Sequence, residues 1–148
     1  MFQNLFTRWV EAIPVAKANA ETIVKKFKDH VVLRFTTPEV FLSDNGTEFK
    51  NKLVDDYLAE IGTRHMSTPP YHAQANPVER ASRKIKQMLA AFVQGAHNHW
   101  DKHLPELVNA LNRSVSSTTG MSSAMLNYGR QQVPPGILPC WNFWVKDP

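Results

Sequence analysis

Cysteine is all but missing from this chain. Cys140 stands alone among 148 residues, which excludes a disulfide framework and suits a reducing compartment. No apolar run reaches membrane-spanning length, and the N-terminus lacks the basic-then-apolar pattern of a signal peptide, so no membrane partner is expected. Internal repeats and low-complexity tracts are also absent. Acidic side chains are the scarcer charge, 13 against 17 basic ones. The resulting net charge of +4 and pI near 9.3 favour an acidic partner such as nucleic acid, though only mildly. What is present is ordinary globular composition, 43% hydrophobic and 20% charged, at a length that buries one domain core. We place that domain at residues 1–130. The tail, residues 131–148, is rich in Pro and aromatics, which either cover the core or dock a partner.

Two acidic positions stand out. A polar loop rich in Pro and Asn, with Tyr71, Gln74 and Asn76, leads into a helix that carries Glu79 one turn in. At about 100° per residue, Val78, Ile85, Leu89 and Phe92 share one face and are expected to pack on a core. Glu79, Arg83 and Lys86 line up on another face, one carboxylate followed by two cations. An ordinary ion pair on a solvated face accounts for that row equally well. Upstream, Val40-Phe41-Leu42-Ser43 reads as a buried strand ended by the Asp44-Asn45-Gly46 turn. A carboxylate at the C-terminal end of a buried strand lies where open α/β sheets place ligands. Asp-Asn-Gly is also common turn chemistry, in which the Asp only caps backbone N–H groups.

Together these motifs resemble the catalytic core of retroviral-type integrases, particularly those of gypsy-type LTR retrotransposons. The resemblance runs over about residues 5–130. It rests on Phe6-Thr7-Arg8-Trp9, Glu11-Ala12-Ile13-Pro14, Leu42-Ser43-Asp44-Asn45-Gly46-Thr47-Glu48-Phe49, Tyr71-His72, Gln74-Ala75-Asn76, Val78-Glu79-Arg80, Thr119-Gly120, Leu126 and Gly129-Arg130. It implies an α/β, ribonuclease-H-like fold, a mixed sheet flanked by helices. It also implies 3′-processing and strand transfer on DNA by metal-dependent phosphodiester attack. In that family two Asp and one Glu hold two divalent metals, Mg²⁺ or Mn²⁺. Asp44 matches the second carboxylate and Glu79 the third, with 34 residues between them, one fewer than is usual. Arg83 and Lys86 would hold DNA phosphates, and Tyr71, Gln74 and Asn76 match a loop that contacts DNA ends. The resemblance further implies a homo-oligomer, a dimer, in an intracellular and nuclear setting. The family's first Asp lies on a first strand, and Asn4 corresponds to a different, non-catalytic position. We therefore expect the first strand and its ligand to be missing and the chain to be catalytically incomplete. A non-enzymatic DNA-binding or oligomerisation module, or a decayed remnant, are the alternatives.

The rest of the chain is read from its pattern. Trp9 to Val15 alternates and is stopped by Pro14, a short edge strand in which Arg8 and Trp9 are packing residues. Asn19 is the expected N-cap of a helix over residues 20–35 that buries Ile23, Val24, Phe27, Val31 and Phe35. Residues 47–61 form a helix with Phe49, Leu53, Tyr57 and Ile61 inward and Gly62 as its stop, and residues 64–67 a strand. Trp100, Leu104, Leu107, Val108, Leu111 and Val115 make the apolar face of a further helix, with a kink or restart at Pro105. A last helix covers about residues 121–128. His97, His99 and His103 cluster near one helix start, but without cysteine or fixed ligand spacing they are read as ordinary surface histidines.

Overall fold

Asn19 opens the first helix as its sequence predicts. In the computed structural model, which describes residues 1–68, 77–93, 99–117 and 119–132, its side chain accepts the Thr22 N–H at 2.9 Å. The helix, α1 (Ala20–Phe27), is shorter than expected, because a π-type turn takes over at Lys28–Val32. A wider turn shifts the register, so that Val31 and Val32 both reach the core that buries Ala20 and Phe27. Phe35 instead stacks edge-on against Trp9.

Residues 2–11 form a hairpin. Strands β1 (Phe2–Gln3) and β2 (Val10–Glu11) pair antiparallel, Phe2 opposite Glu11 and Gln3 opposite Val10. Asn4 makes the turn: its side chain accepts the N–H groups of Phe6 and Thr7 at 2.9 and 2.8 Å, while its backbone N–H bonds the Trp9 carbonyl. The strand expected to reach Val15 stops at Glu11. The bond from Asn4 to Trp9 makes Gln3 and Val10 a non-hydrogen-bonded pair, so the N–H and C=O of Val10 point away from β1. Both meet one side chain. Asn112 accepts from the Val10 N–H and donates to its carbonyl, each at 2.9 Å, a side-chain amide standing where a neighbouring strand would pair.

The second ladder is parallel. Strand β3 (Val40–Ser43) runs beside β4 (Arg64–Ser67), Phe41 opposite His65 and Ser43 opposite Ser67. Between them lies α2 (Lys52–Glu60), which begins five residues later than expected because Asn51 supplies the cap. Val54 and Leu58 are its most buried residues, Phe49, Tyr57 and Ile61 pack against their cluster as expected, and Leu53 is exposed. Gly62 ends the segment at φ 75°, as its place after the helix predicts.

The remaining helices build a second cluster. Helix α3 (Pro77–Val93) and α4 (Trp100–Arg113) bring Ala81, Ile85, Leu104 and Val108 onto Val10 of β2. Helix α4 runs through Pro105 unbroken, since a proline this near the start removes a single backbone bond. Phe92, Trp100 and Val115, expected inside, are exposed. Phe92 lies at the rim against His103, and Val115 falls beyond the helix end, in a bridge to Ser122. Helix α5 (Ser123–Tyr128) is capped by buried Ser122 and closed by Gly129 at φ 69°.

The two ladders remain separate among the described residues. Both lean on α1: Phe27 packs against Phe2 of β1 at 5.6 Å and against Phe41 of β3 at 4.8 Å. Among the described residues each of β1 and β3 keeps one edge without a partner strand.

Candidate metal and nucleic-acid site

Phe41 anchors β3 in the core, and the chain then turns outward at Asp44. Three bonds fix this strand end. One carboxylate oxygen of Asp44 accepts the Gly46 N–H at 3.0 Å, the Ser43 hydroxyl lies 2.9 Å from the Asp44 carbonyl, and the Asn45 amide donates to the Thr68 carbonyl. The last bond ties the ends of β3 and β4 together. A Cβ on Gly46 would sit 2.7 Å from a carboxylate oxygen of Glu48, the end of a flexible side chain that can swing aside. Asp44 thus makes the turn bond common to Asp-Asn-Gly segments. Its second oxygen has no hydrogen-bond partner among the described residues, and the side chain is exposed.

Glu79 lies in the first turn of α3 and faces solvent. Its carboxylate is 3.4 Å from Arg83 one turn on, so the expected row of charges forms and includes the ordinary ion pair. Both partners are more than half exposed, which makes that pair worth well under 1 kcal/mol (roughly 0.3–0.5) and easily broken. Lys86 is exposed further along the helix. Tyr71, Gln74 and Asn76 lie outside the described residues. His99 and His103 are described, and His103 is 4.0 Å from Glu106. Among the described residues no group of three or more His, Cys, Asp or Glu side chains comes together to hold a metal. No helix of the described residues is long and apolar enough to cross a membrane.

Trp9 proves structural. It is buried, donates its indole N–H to Glu11 at 2.8 Å, and meets Phe35 and Tyr128 edge-on. Arg34 completes the group with a 2.9 Å ion pair to the other oxygen of Glu11. Tyr57 on α2 has its phenol pushed up from the ordinary range by burial and then by Glu60 and Asp29.

Sequence reasoning missed one polar constellation. His65 is the half-buried member of an otherwise exposed β4. One ring nitrogen is 2.9 Å from the Ser43 hydroxyl and the other 2.7 Å from Asp55 of α2. The available signal was parallel pairing of two short strands, which puts His65 opposite Phe41 and on the same face as Ser43, two residues further along β3.

Residues 3–73 match the family model described as "Integrase core domain". The chain is 26% identical over 125 residues to the "Retrovirus-related Pol polyprotein from transposon 412" of Drosophila melanogaster, covering 84% of this chain and 10% of that protein. It is 33% identical over 141 residues to the Gag-Pol polyprotein of koala retrovirus, covering 93% of this chain and 8% of that protein. The chain therefore spans about a tenth of the length of such relatives. Among solved structures it is similar to the HTLV-2 integrase catalytic core domain, in complex with magnesium, at a TM-score of 0.71 and 17% identity. That match covers 85% of this chain and 81% of the other. At that identity it speaks for the fold, which is the α/β ribonuclease-H-like arrangement implied by the sequence motifs.

Proposed function

This chain belongs to the retroviral-type integrase core family, and from that premise we propose that it acts on DNA as the core of a retrotransposon integrase. The reaction class is 3′-processing and strand transfer by phosphodiester attack. One observation carries the reading to particular atoms: Asp44 sits at the end of half-buried β3, where Leu42 is exposed, with one oxygen held by Gly46 and the other without a hydrogen-bond partner among the described residues. Glu79, exposed in the first turn of α3, is the second member of the proposed site.

The family is metal-dependent, and the donor chemistry here suits it. Mg²⁺ takes oxygen ligands and is commonly held by one or two carboxylates with water completing its shell. Asp44 and Glu79 are the residues proposed to hold Mg²⁺ or Mn²⁺, which when bound would activate the attacking oxygen and offset charge at phosphorus. Two carboxylates suit one cation and fall short of a pair. A further Asp on an additional strand is what the family pattern would supply. Gly46 and Ser43 hold Asp44 in place, and Arg83, whose exposed pair with Glu79 breaks easily, would be free to hold DNA phosphate.

DNA is the proposed partner, a second copy of the chain is a further one, and the nucleus is the proposed setting. Arg83 and Lys86 are the proposed phosphate contacts, with Tyr71, Gln74 and Asn76 at the DNA end. Each phosphate contact releases counterions, so affinity for duplex DNA should fall steeply with salt and depend little on sequence. Replacing Arg83 and Lys86 together with Ala should reduce the slope of log K against log salt by about 2. Fluorescence anisotropy across a salt series measures it. A slope unchanged by the double substitution would remove these two residues from the interface.

A further inference from the structure

Ser43, His65 and Asp55 form a chain of hydrogen bonds running from α2 to the end of β3. Asp55 is 2.7 Å from Nδ1 of His65, Nε2 of His65 is 2.9 Å from the Ser43 hydroxyl, and that hydroxyl is 2.9 Å from the backbone carbonyl of Asp44. The order matches a nucleophile, a base and an acid, but Ser43 is buried at 6% exposure and unsuited to attack a substrate. The imidazole lies edge-on to Phe41 at 5.7 Å and its side chain is 17% exposed, so its orientation is fixed by packing as well as by bonds.

Hydrogen accounting gives this chain two forms. A serine hydroxyl has one hydrogen to donate. If that hydrogen goes to the Asp44 carbonyl, Nε2 must carry a hydrogen and donate to Ser43. Asp55, a carboxylate, requires a hydrogen on Nδ1 as well, so in this form the imidazole is doubly protonated. If His65 is neutral with its hydrogen on Nδ1 for Asp55, bare Nε2 claims the Ser43 hydrogen and the Asp44 carbonyl loses its partner. The proton lost in that exchange leaves Nε2 for solvent, and no other bond changes. The charged groups facing the imidazole are Asp55 from α2 and, through Ser43, the Asp44 segment. Phe41 is its apolar neighbour on β3, and Arg64 beside it on β4 is exposed.

We propose that His65 is a positioning residue for Asp44: acting through Ser43, it determines whether the backbone carbonyl of Asp44 is held or released. The consequence for DNA chemistry rests on reading Asp44 as a metal ligand, but the coupling between His65 and that carbonyl does not.

The test is a pH titration of the ¹⁵N-labelled full chain by NMR, reading the His65 ring nitrogens and the amide of Asn45, whose nitrogen is bonded to the Asp44 carbonyl carbon. The Asn45 amide should shift with the same midpoint as the His65 ring. In Ser43→Ala the ring should still titrate while Asn45 no longer follows it. Should Ser43→Ala fail to fold, His65→Gln serves instead. Glutamine carries no titrating proton, so Asn45 should hold a single position throughout that range. Asp44→Asn keeps the carbonyl and should keep the coupling, even though it removes the proposed ligand; failure of the metal reading is thereby distinguished from failure of this one. An Asn45 amide indifferent to His65 in the unsubstituted chain would overturn the proposal. So would one that follows His65 equally well in Ser43→Ala, or one that still titrates in His65→Gln.

Discussion

Replacing Asn112 with Leu should destabilise the fold by about 2–4 kcal/mol, enough to lower the melting midpoint by roughly 10 °C. Leu has the same number of side-chain heavy atoms in a similar branched shape, so the loss is not that of a cavity. It arises because both backbone groups of Val10, itself 1% exposed, lose their partners at once. An unsatisfied buried donor or acceptor costs about 1–3 kcal/mol, and here one of each is stranded. Asn112→Asp should be similarly damaging: a carboxylate still accepts from the Val10 N–H but cannot donate to its carbonyl, and it buries a charge. Thermal melts followed by circular dichroism check both, and a change below about 1 kcal/mol would mean that water replaces the amide without penalty.

The second large effect concerns the open strand edges. A strand placed between β1 and β3 would pair with both and turn two ladders into one mixed sheet, over the Phe2, Phe27 and Phe41 contacts that already bring these strands together. We expect a chain extended at its N-terminus by a strand that pairs with both and bears an Asp to melt more cooperatively. It should also nick and join DNA ends at least on the order of 100-fold faster, about what loss of a single transition-state donor costs. Extension with Asn in place of that Asp separates the two causes. It should recover the melt but not the activity. Equal rates for the 148-residue chain and the extended one would show that no further ligand is required.

Much of this architecture was legible in the residues because local chemistry decided it. Asn19, Gly62 and Gly129 lie where caps and stops belong, and Phe41 and Asp44 have the burial contrast that a strand ending in a turn requires. What escaped was decided by tertiary context. Asn51 took the cap of α2, and Val54 is buried where Leu53 is exposed, a difference invisible to i+4 spacing because both positions are apolar. Asn112 reads as a break in the apolar face of α4, and only the direction of the Val10 backbone groups explains it. The relay through His65 depends on which strands pair. Its three members lie at positions 43, 55 and 65, a spacing that carries no local signal. Glu79 and Arg83 were legible as a pair, whereas the role of the pair was not, since an exposed ion pair looks the same whether or not DNA displaces it.

The proposal that Asp44 and Glu79 form a metal-dependent site is tested most directly by nicking of a supercoiled plasmid in Mn²⁺, using the strand-extended chain and its Asp44→Asn and Glu79→Gln variants. Both carboxylates are exposed, so the substitutions should leave the melting midpoint within about 1 °C while nicking falls to background. Nicking that persists in either variant at a rate near that of the parent, with the fold intact, would contradict the account.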